Sequence, residues 1–158
     1  MRNIILVAIL AIILSGCSKE DNEIYSDKQQ KALSVFNGTF EDYQYSNLGN
    51  EILGDPDMIV FGIQYSEPLE LRKDDFMNGS NYMGEAHGEC VYKKKFLQEE
   101  PYTEIECYYK VSYDATAFTL YRKSDKEIYH HYKLFIQNPT EFKLYQSGLS
   151  LPYIFKKQ

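Results

Sequence analysis

The chain has 158 residues, with 17 basic and 23 acidic side chains, and therefore a formal net charge of −6 at pH 7. This length suits one domain with a sizeable core. A net acidic chain argues against nucleic acid as a partner, because phosphate backbones attract basic surfaces. The three consecutive lysines Lys93 to Lys95 do not change this expectation, since they alternate between the two sides of a predicted strand.

The first residues have the features of a bacterial secretory signal. A basic start at Arg2 precedes an apolar run from Ile4 to Leu14, which is too short to span a membrane as a helix. The segment Leu14-Ser15-Gly16-Cys17 closely resembles the bacterial lipobox. The resemblance implies cleavage before Cys17, lipid attachment to the Cys17 sulfur, and acylation of the new amino terminus. Several acyl chains on one residue anchor a protein stably, whereas a single chain does not.

Residues 18–23 form a short acidic stretch, Ser-Lys-Glu-Asp-Asn-Glu. This stretch resembles the export signal that follows the lipid-bearing cysteine in surface lipoproteins of Bacteroidetes. The resemblance implies an outer-membrane lipoprotein displayed on the cell surface. The alternative is a plain solvated tether, with the protein held on the periplasmic face of the same membrane.

A short helix is predicted at the start of the folded domain, over residues 27–35. Ser26 is a favoured N-cap residue, and Gly38 follows the helix as a residue that readily adopts positive φ. A helix that leads through Gly38 to the aromatic Phe40 resembles the start of lipocalin-like domains, where Gly-x-Trp opens the first strand. The likeness is to the small lipocalin-like lipoproteins of Bacteroidetes.

Short strands separated by regular turns dominate the rest of the chain. We count about nine, and no predicted helix is long enough for the crossover that parallel strands need. This pattern indicates an all-β fold, an antiparallel meander that closes into a small lipocalin-like barrel, with a β-sandwich as the alternative. The predicted organisation is a signal peptide over 1–16, a lipidated acidic tether over 17–25 and a single β-barrel domain over 26–158.

The clearest strand pair is a long hairpin between Ala86 and Tyr113. Apolar residues alternate with polar ones along both arms, and matching the apolar faces sets Tyr92 opposite Ile105 and Cys90 opposite Cys107. The two cysteines then form either a disulfide or a pair of reduced core thiols. The predicted export places both cysteines in an oxidising compartment, which favours the disulfide. Lipid occupies the third cysteine, Cys17, so exactly two cysteines remain to pair.

The resemblance to lipocalins implies a barrel that binds a small hydrophobic or amphiphilic ligand. A barrel of about eight strands can hold one such molecule. The loop Lys73–Gly84 is predicted as a lid at the barrel mouth, or else its apolar side chains plug the barrel. The inward side chains predicted to line the cavity are Tyr92, Tyr109, Tyr132, Phe118 and Leu120, and the predicted lid residues are Phe76, Met77, Tyr82 and Met83.

A different function follows if the interior is packed. The protein is then an accessory or interaction lipoprotein that docks to an outer-membrane partner or a glycan through exposed strand faces. A contiguous exposed aromatic patch is the expected mark of such a surface. The candidate outward aromatics are Tyr108, Tyr121, Tyr129 and Phe135.

Catalytic, metal and cofactor motifs are not apparent in the sequence. Neither a Gly-x-Ser-x-Gly elbow nor a phosphate-binding glycine loop is present. His130 and His131 are neighbours in a predicted strand, so their side chains point to opposite faces and cannot hold one metal ion together. We therefore expect neither an enzyme nor a cofactor.

Overall fold

The computed structural model describes residues 24–43, 57–75, 79–94 and 100–158. The predicted signal peptide, Cys17 and most of the tether lie outside these residues, and so do Phe76 and Met77. The described residues form one helix, α1 (Asp27–Val35), and eight strands. The strands are β1 (Gly38–Asp42), β2 (Met58–Asp75), β3 (Gly79–Lys94), β4 (Thr103–Val111), β5 (Ala117–Arg122), β6 (Ile128–Asn138), β7 (Glu141–Gln146) and β8 (Tyr153–Lys157).

The eight strands pair in chain order as an antiparallel meander, and β8 pairs with β1 to close the sheet into a barrel. The all-β antiparallel prediction is confirmed. Closure gives the last strand, β8, two neighbours. The described strands number eight rather than about nine, and β2 runs without a break through Pro68 over 18 residues.

Helix α1 occupies one end of the barrel and has the predicted start. Ser26 and Gln29 form a reciprocal capping box, in which the Gln29 N–H donates to Ser26 Oγ at 3.1 Å and the Ser26 N–H donates to Gln29 Oε1 at 3.0 Å. The same two side chains tie the helix to the wall: Ser26 Oγ donates to the Tyr113 carbonyl, and Gln29 Nε2 donates to the Val111 carbonyl. The helix is therefore fastened over the C-terminal end of β4.

Phe36, directly after α1, lies at the centre of the barrel core. Its ring stacks on Phe61 with centroids 4.8 Å apart, and its face and edges meet the rings of Tyr109, Phe118 and Phe142 at 5.2 to 6.0 Å. All five rings are buried. Offset and edge-to-face contacts at such distances are the favoured arrangements of aromatic side chains. The helix end of the barrel is thus filled by aromatic rings.

The hairpin of β2 and β3 is much longer than the wall it belongs to, and its distal half covers the outer face of β4 and β5. Register shifts after Phe61 and after Gln64 separate the two halves. In the distal half, Leu71 and Ala86 pack with Tyr121 of β5. Its tip reaches the turn between β5 and β6, where Lys73 pairs with Glu127 at 2.9 Å.

Candidate functional site

The five residues predicted to line a ligand cavity all point inward. Each is at most 3% exposed, and each belongs to the main hydrophobic core. The inward orientation is therefore confirmed, while their contact with a ligand stays a prediction. Tyr109 and Phe118 stack on each other with centroids 6.0 Å apart, so in this structure they fill the space in which a ligand would lie.

The Tyr109 hydroxyl shows how closely the interior is packed. A side-chain carbon at Gly88 would lie 2.5 Å from this hydroxyl oxygen, so only glycine leaves room for the tyrosine ring. The hydroxyl is buried and has no hydrogen-bond partner among the described residues. Burial and nearby ionisable groups, Cys90 first, raise the pKa of Tyr109. This orphan hydroxyl costs stability, because a buried donor without a partner loses its bonds to water.

The opposite end of the barrel is aromatic but polar. Tyr92 Oη donates to Asp57 Oδ2 at 2.5 Å, and the Tyr92 ring lies 5.7 Å from the His130 ring. Burial raises the pKa of the Asp57 carboxyl and lowers that of His130, and the hydrogen bond from Tyr92 partly offsets the effect on Asp57. The cluster therefore combines aromatic rings with hydrogen-bonding groups at this end of the barrel.

Tyr129 belongs to this polar cluster, which corrects its predicted outward position. The ladder between β5 and β6 shifts register between Leu120 and Tyr121, so that Leu120 faces His130 while Tyr121 faces Ile128. Tyr129 is the extra residue. It is half-buried, packs against the main core and contacts Tyr92 at 5.9 Å. A bulge re-aims side chains in this way, and period-2 alternation in the sequence does not reveal it.

Cys90 and Cys107 stand directly opposite each other on β3 and β4, which confirms the predicted register. Both thiols are free and buried in the core. Burial raises the pKa of Cys107 to about 12 and that of Cys90 well above its ordinary value. Buried thiols with raised pKa values are poor nucleophiles, so neither cysteine is a candidate for catalysis.

The prediction of a lid loop over Lys73–Gly84 is wrong. Residues 73–75 and 79–84 continue the β2–β3 ladder, and Arg72 pairs with Tyr82. Tyr82 is 53% exposed, and Met83 is half-buried against the cluster on the outer face of β4 and β5. Glycines and polar residues suggested a loop, but the ladder bonds of a long hairpin outweigh weak local strand propensity.

Two further outward aromatics, Tyr108 and Tyr121, are not free surface residues. Tyr121 is only 5% exposed, and Tyr108 packs beside the same cluster. Gly84 approaches Tyr121 so closely that a side-chain carbon there would lie 2.5 Å from the tyrosine hydroxyl. The hairpin covers both rings. Of the four predicted outward aromatics, Phe135 alone is widely exposed, at 53%.

Phe135 belongs to a patch on the outer face of β6 and β7. The register places Lys133 opposite Tyr145 and Phe135 opposite Lys143, so basic and aromatic side chains alternate in both directions. We name these four residues the Lys–aromatic patch. Tyr145 is 37% exposed and was not predicted; its alternation with the buried Phe142 and Leu144 would have indicated an outward position.

The two lysines of the patch are unneutralised. Within the described residues neither Lys133 nor Lys143 forms an ion pair. Two lysines on the wall of β4 and β5 are paired instead: Lys110 with Glu85 at 3.3 Å, and Lys123 with Glu89 at 2.5 Å. An open groove of about 470 Å³ runs beside the patch, lined by Lys133, Tyr145, Thr116, Ala117, His131, Tyr132, Gln146 and Ser147.

Other kinds of site have little support in the described part of the chain. It contains no group of three His, Cys, Asp or Glu side chains that could hold a metal ion. Its helix is not long and apolar enough to cross a membrane. No protein-family model, curated protein or solved structure matches the chain.

Proposed function

We propose that this chain is a membrane-anchored accessory lipoprotein that acts through its outer surface. The observation that carries the proposal is the packed helix end of the barrel, which the rings of Phe36, Phe61, Tyr109, Phe118 and Phe142 occupy. A core packed in this way leaves recognition to the exterior. The Lys–aromatic patch, with two exposed rings and two unpaired ammonium groups, is the surface best suited to bind a partner.

The anchor is the lipid on Cys17, and the acidic residues that follow direct the protein to the outer face of the outer membrane. Growth of the native host with labelled palmitate tests the first part. The wild-type chain should take up label, and Cys17→Ser should not. Protease treatment of intact cells tests the second part. Digestion in intact cells supports surface display, while protection until the outer membrane is opened supports the periplasmic face.

A photo-crosslinking residue at position 135 tests whether a partner binds to the outer surface at the Lys–aromatic patch. We expect crosslinked products in living cells when the probe replaces Phe135. A probe at Tyr113, a turn residue that is 77% exposed, is the matched control and should give none. Equal products at both positions, or none at either, would remove the patch from the proposal.

A small amphiphilic ligand is the second candidate, and a groove between α1 and β6 favours it. The groove has a volume of about 280 Å³. Ala32, Leu134 and Ile136 form its apolar side, and its charged lining combines two lysines, Lys28 and Lys31, with the carboxylate of Asp114. An acyl chain with an acidic head would match this arrangement. Native mass spectrometry of protein isolated from its host should then detect a bound acyl compound that Lys31→Glu loses. Bare protein in both samples argues against it.

A further inference from the structure

We propose that the Lys–aromatic patch binds an acidic glycan, a polysaccharide that carries carboxylate or phosphate groups on its sugar rings. The inference rests on the proposed function and names the chemistry of the partner. It draws on three observations: the register of β6 and β7, the exposure of Phe135 and Tyr145, and the unpaired state of Lys133 and Lys143.

The geometry of the patch suits sugar rings. Neighbouring strands lie about 4.8 Å apart, and alternate residues along a strand lie about 6.8 Å apart. Four side chains thus stand at the corners of a rectangle the size of one or two sugar rings. The aromatic faces of Phe135 and Tyr145 can pack against the C–H face of a sugar, and the Tyr145 hydroxyl can bond a sugar hydroxyl.

The charge of the patch suits an acidic ligand. The whole chain carries −6, yet Lys133 and Lys143 have no acidic partner among the described residues. On the same outer face, the neighbour of Phe135 and Lys143 toward β8 is Ile154, and the neighbour of Lys133 toward β5 is Ala117. Along β7 the next outward residue from Lys143 is Glu141, whose carboxylate is paired with Lys156 at 3.7 Å. An approaching carboxylate or phosphate therefore meets two unpaired lysines and one acidic side chain that already has a basic partner.

The number of charges separates a glycan from other polyanions. Stable binding to anionic membranes takes clusters of about four to eight basic residues, and nucleic acid requires several phosphate contacts at once. Two lysines are too few for either polymer in an acidic protein. Two lysines with two interleaved rings do match a chain in which acidic groups and sugar faces alternate.

The test uses the full chain, purified in detergent from its native host, and measures retardation by polysaccharides in native affinity gels. We expect polygalacturonate, phosphomannan or both to retard the protein, and uncharged dextran not to. Lys133→Gln with Lys143→Gln should weaken binding roughly tenfold, and Phe135→Ala with Tyr145→Ala should do the same. Higher salt should weaken what remains of the ionic attraction.

The control removes the same charge from a different place. Lys93→Gln with Lys110→Gln removes two lysines that are ion-paired with Glu104 and Glu85. This variant should bind like the wild type, and the melting temperature of every variant is measured to confirm folding. Equal weakening by both lysine pairs would mean that net charge alone is sensed, and this result overturns the proposal.

Other outcomes are equally decisive. Absence of retardation by both acidic polysaccharides overturns the glycan, and so does equal retardation by dextran. Binding to phosphatidylglycerol vesicles that is lost in the patch variants, without glycan binding, assigns the patch to a membrane surface instead. A crosslink from position 135 to a protein, without glycan binding, overturns this inference but leaves the proposed function standing.

Discussion

Two outer walls of the barrel carry similar residues and differ in what lies over them. The wall of β4 and β5 presents Tyr108, Tyr121 and Lys110, and the wall of β6 and β7 presents the Lys–aromatic patch. On the first wall the rings are covered by the distal hairpin, and Lys110 is paired with Glu85. On the second wall the rings are exposed and the lysines are unpaired. A side chain that points out of the barrel is therefore exposed to solvent only if no other segment covers it.

The cause of the difference is the length of one hairpin. Strand β2 has 18 residues and β3 has 16, whereas β4 has 9. At about 3.3 Å per residue, the excess extends roughly 25 Å beyond the barrel wall. A free two-stranded ribbon of this length is only marginally stable in water. Packing against the neighbouring wall buries Leu71, half-buries Met83 and pairs Glu85 of the hairpin with Lys110.

Truncating one tyrosine on each wall should give the largest contrast. Tyr121→Ala removes a buried ring and should lower the free energy of unfolding by about 3 kcal/mol. Tyr145→Ala removes an exposed ring and should change it by less than about 0.5 kcal/mol. Urea denaturation of both variants provides the measurement. Similar losses in the two variants would mean that the hairpin does not cover the first wall.

A disulfide between Cys90 and Cys107 would join β3 to β4 on the covered side of the barrel and stabilise the whole domain by restricting the unfolded chain. We expect the two thiols to be oxidised when the protein is isolated from outside the host cytoplasm, with a thiol oxidase accepting the two electrons. For a loop of the length that Cys90 and Cys107 close, the lost freedom of the unfolded chain corresponds to about 3 kcal/mol of added stability. Reductant should then lower the melting temperature of the wild type and leave the Cys90→Ser, Cys107→Ser variant unchanged.

Alkylation provides the direct check of that bridge. Unreduced, denatured protein from the host should resist a thiol reagent at both positions and react only after reduction. If both thiols react without reduction, they are the free core cysteines of the present structure, and the stabilising bridge does not exist in the host.

Acid should weaken the covered side through His87. This side chain is 1% exposed, and its Nδ1 accepts a hydrogen bond from the Val111 N–H at 3.2 Å. Burial, and next the charge of Lys110, lower the pKa of His87 to about 4, with Glu85 opposing the shift. The unfolded chain, with a pKa near 6.5, then binds more protons below that pH. Stability is therefore complete above pH 6.5 and is lost as pH falls towards 4.

The measurement is urea denaturation at about pH 7 and about pH 4.5, where we expect a loss on the order of 2 kcal/mol from this group. His87→Gln keeps an acceptor for Val111 and should flatten the pH dependence. His131→Gln on the exposed wall is the matched control and should keep it. An unchanged pH dependence in His87→Gln would assign the acid sensitivity to other groups.

Tyr109→Phe should have the smallest effect, and its sign is informative. Removing the orphan hydroxyl should raise the free energy of unfolding by about 1 kcal/mol, because no buried donor is then left without a partner. The exposed-wall counterpart Tyr145→Phe should be neutral. A loss of stability in Tyr109→Phe would mean that the hydroxyl has a partner in solution, such as a bound molecule inside the barrel, and would favour the ligand hypothesis.

Much of the fold could be predicted because it depends on local patterns. Ser26 and Gly38 mark the ends of α1 through capping and positive φ, and both roles are present in the structure. The pairing of Cys90 with Cys107 follows from matching two apolar faces, since any one-residue slip would bury the charged face. The same logic placed Phe118 and Leu120 in the core.

The errors occur where contacts between distant segments override local patterns. Residues 73–84 look like a loop because glycines and polar residues dominate, yet residues 73–75 and 79–84 continue a ladder. Tyr129 turns inward because a bulge adds one residue to β6, and a bulge has no signature in residue alternation. Tyr121 is buried because a hairpin from another part of the chain lies over it. Each outcome depends on a partner that the local sequence does not contain.

By itself, the sequence determined the antiparallel β class, the helix start at Ser26, the cysteine register and the inward ring positions, because periodicity and capping act over a few residues. It also contains a segment, Leu14 to Cys17, whose resemblance to the lipobox predicts a lipid anchor at Cys17. Only the tertiary structure decided that aromatic rings fill the helix end of the barrel, that one outer wall is covered and that the other is exposed. Burial depends on which segments meet in space, and that is set by the length and bending of β2 and β3.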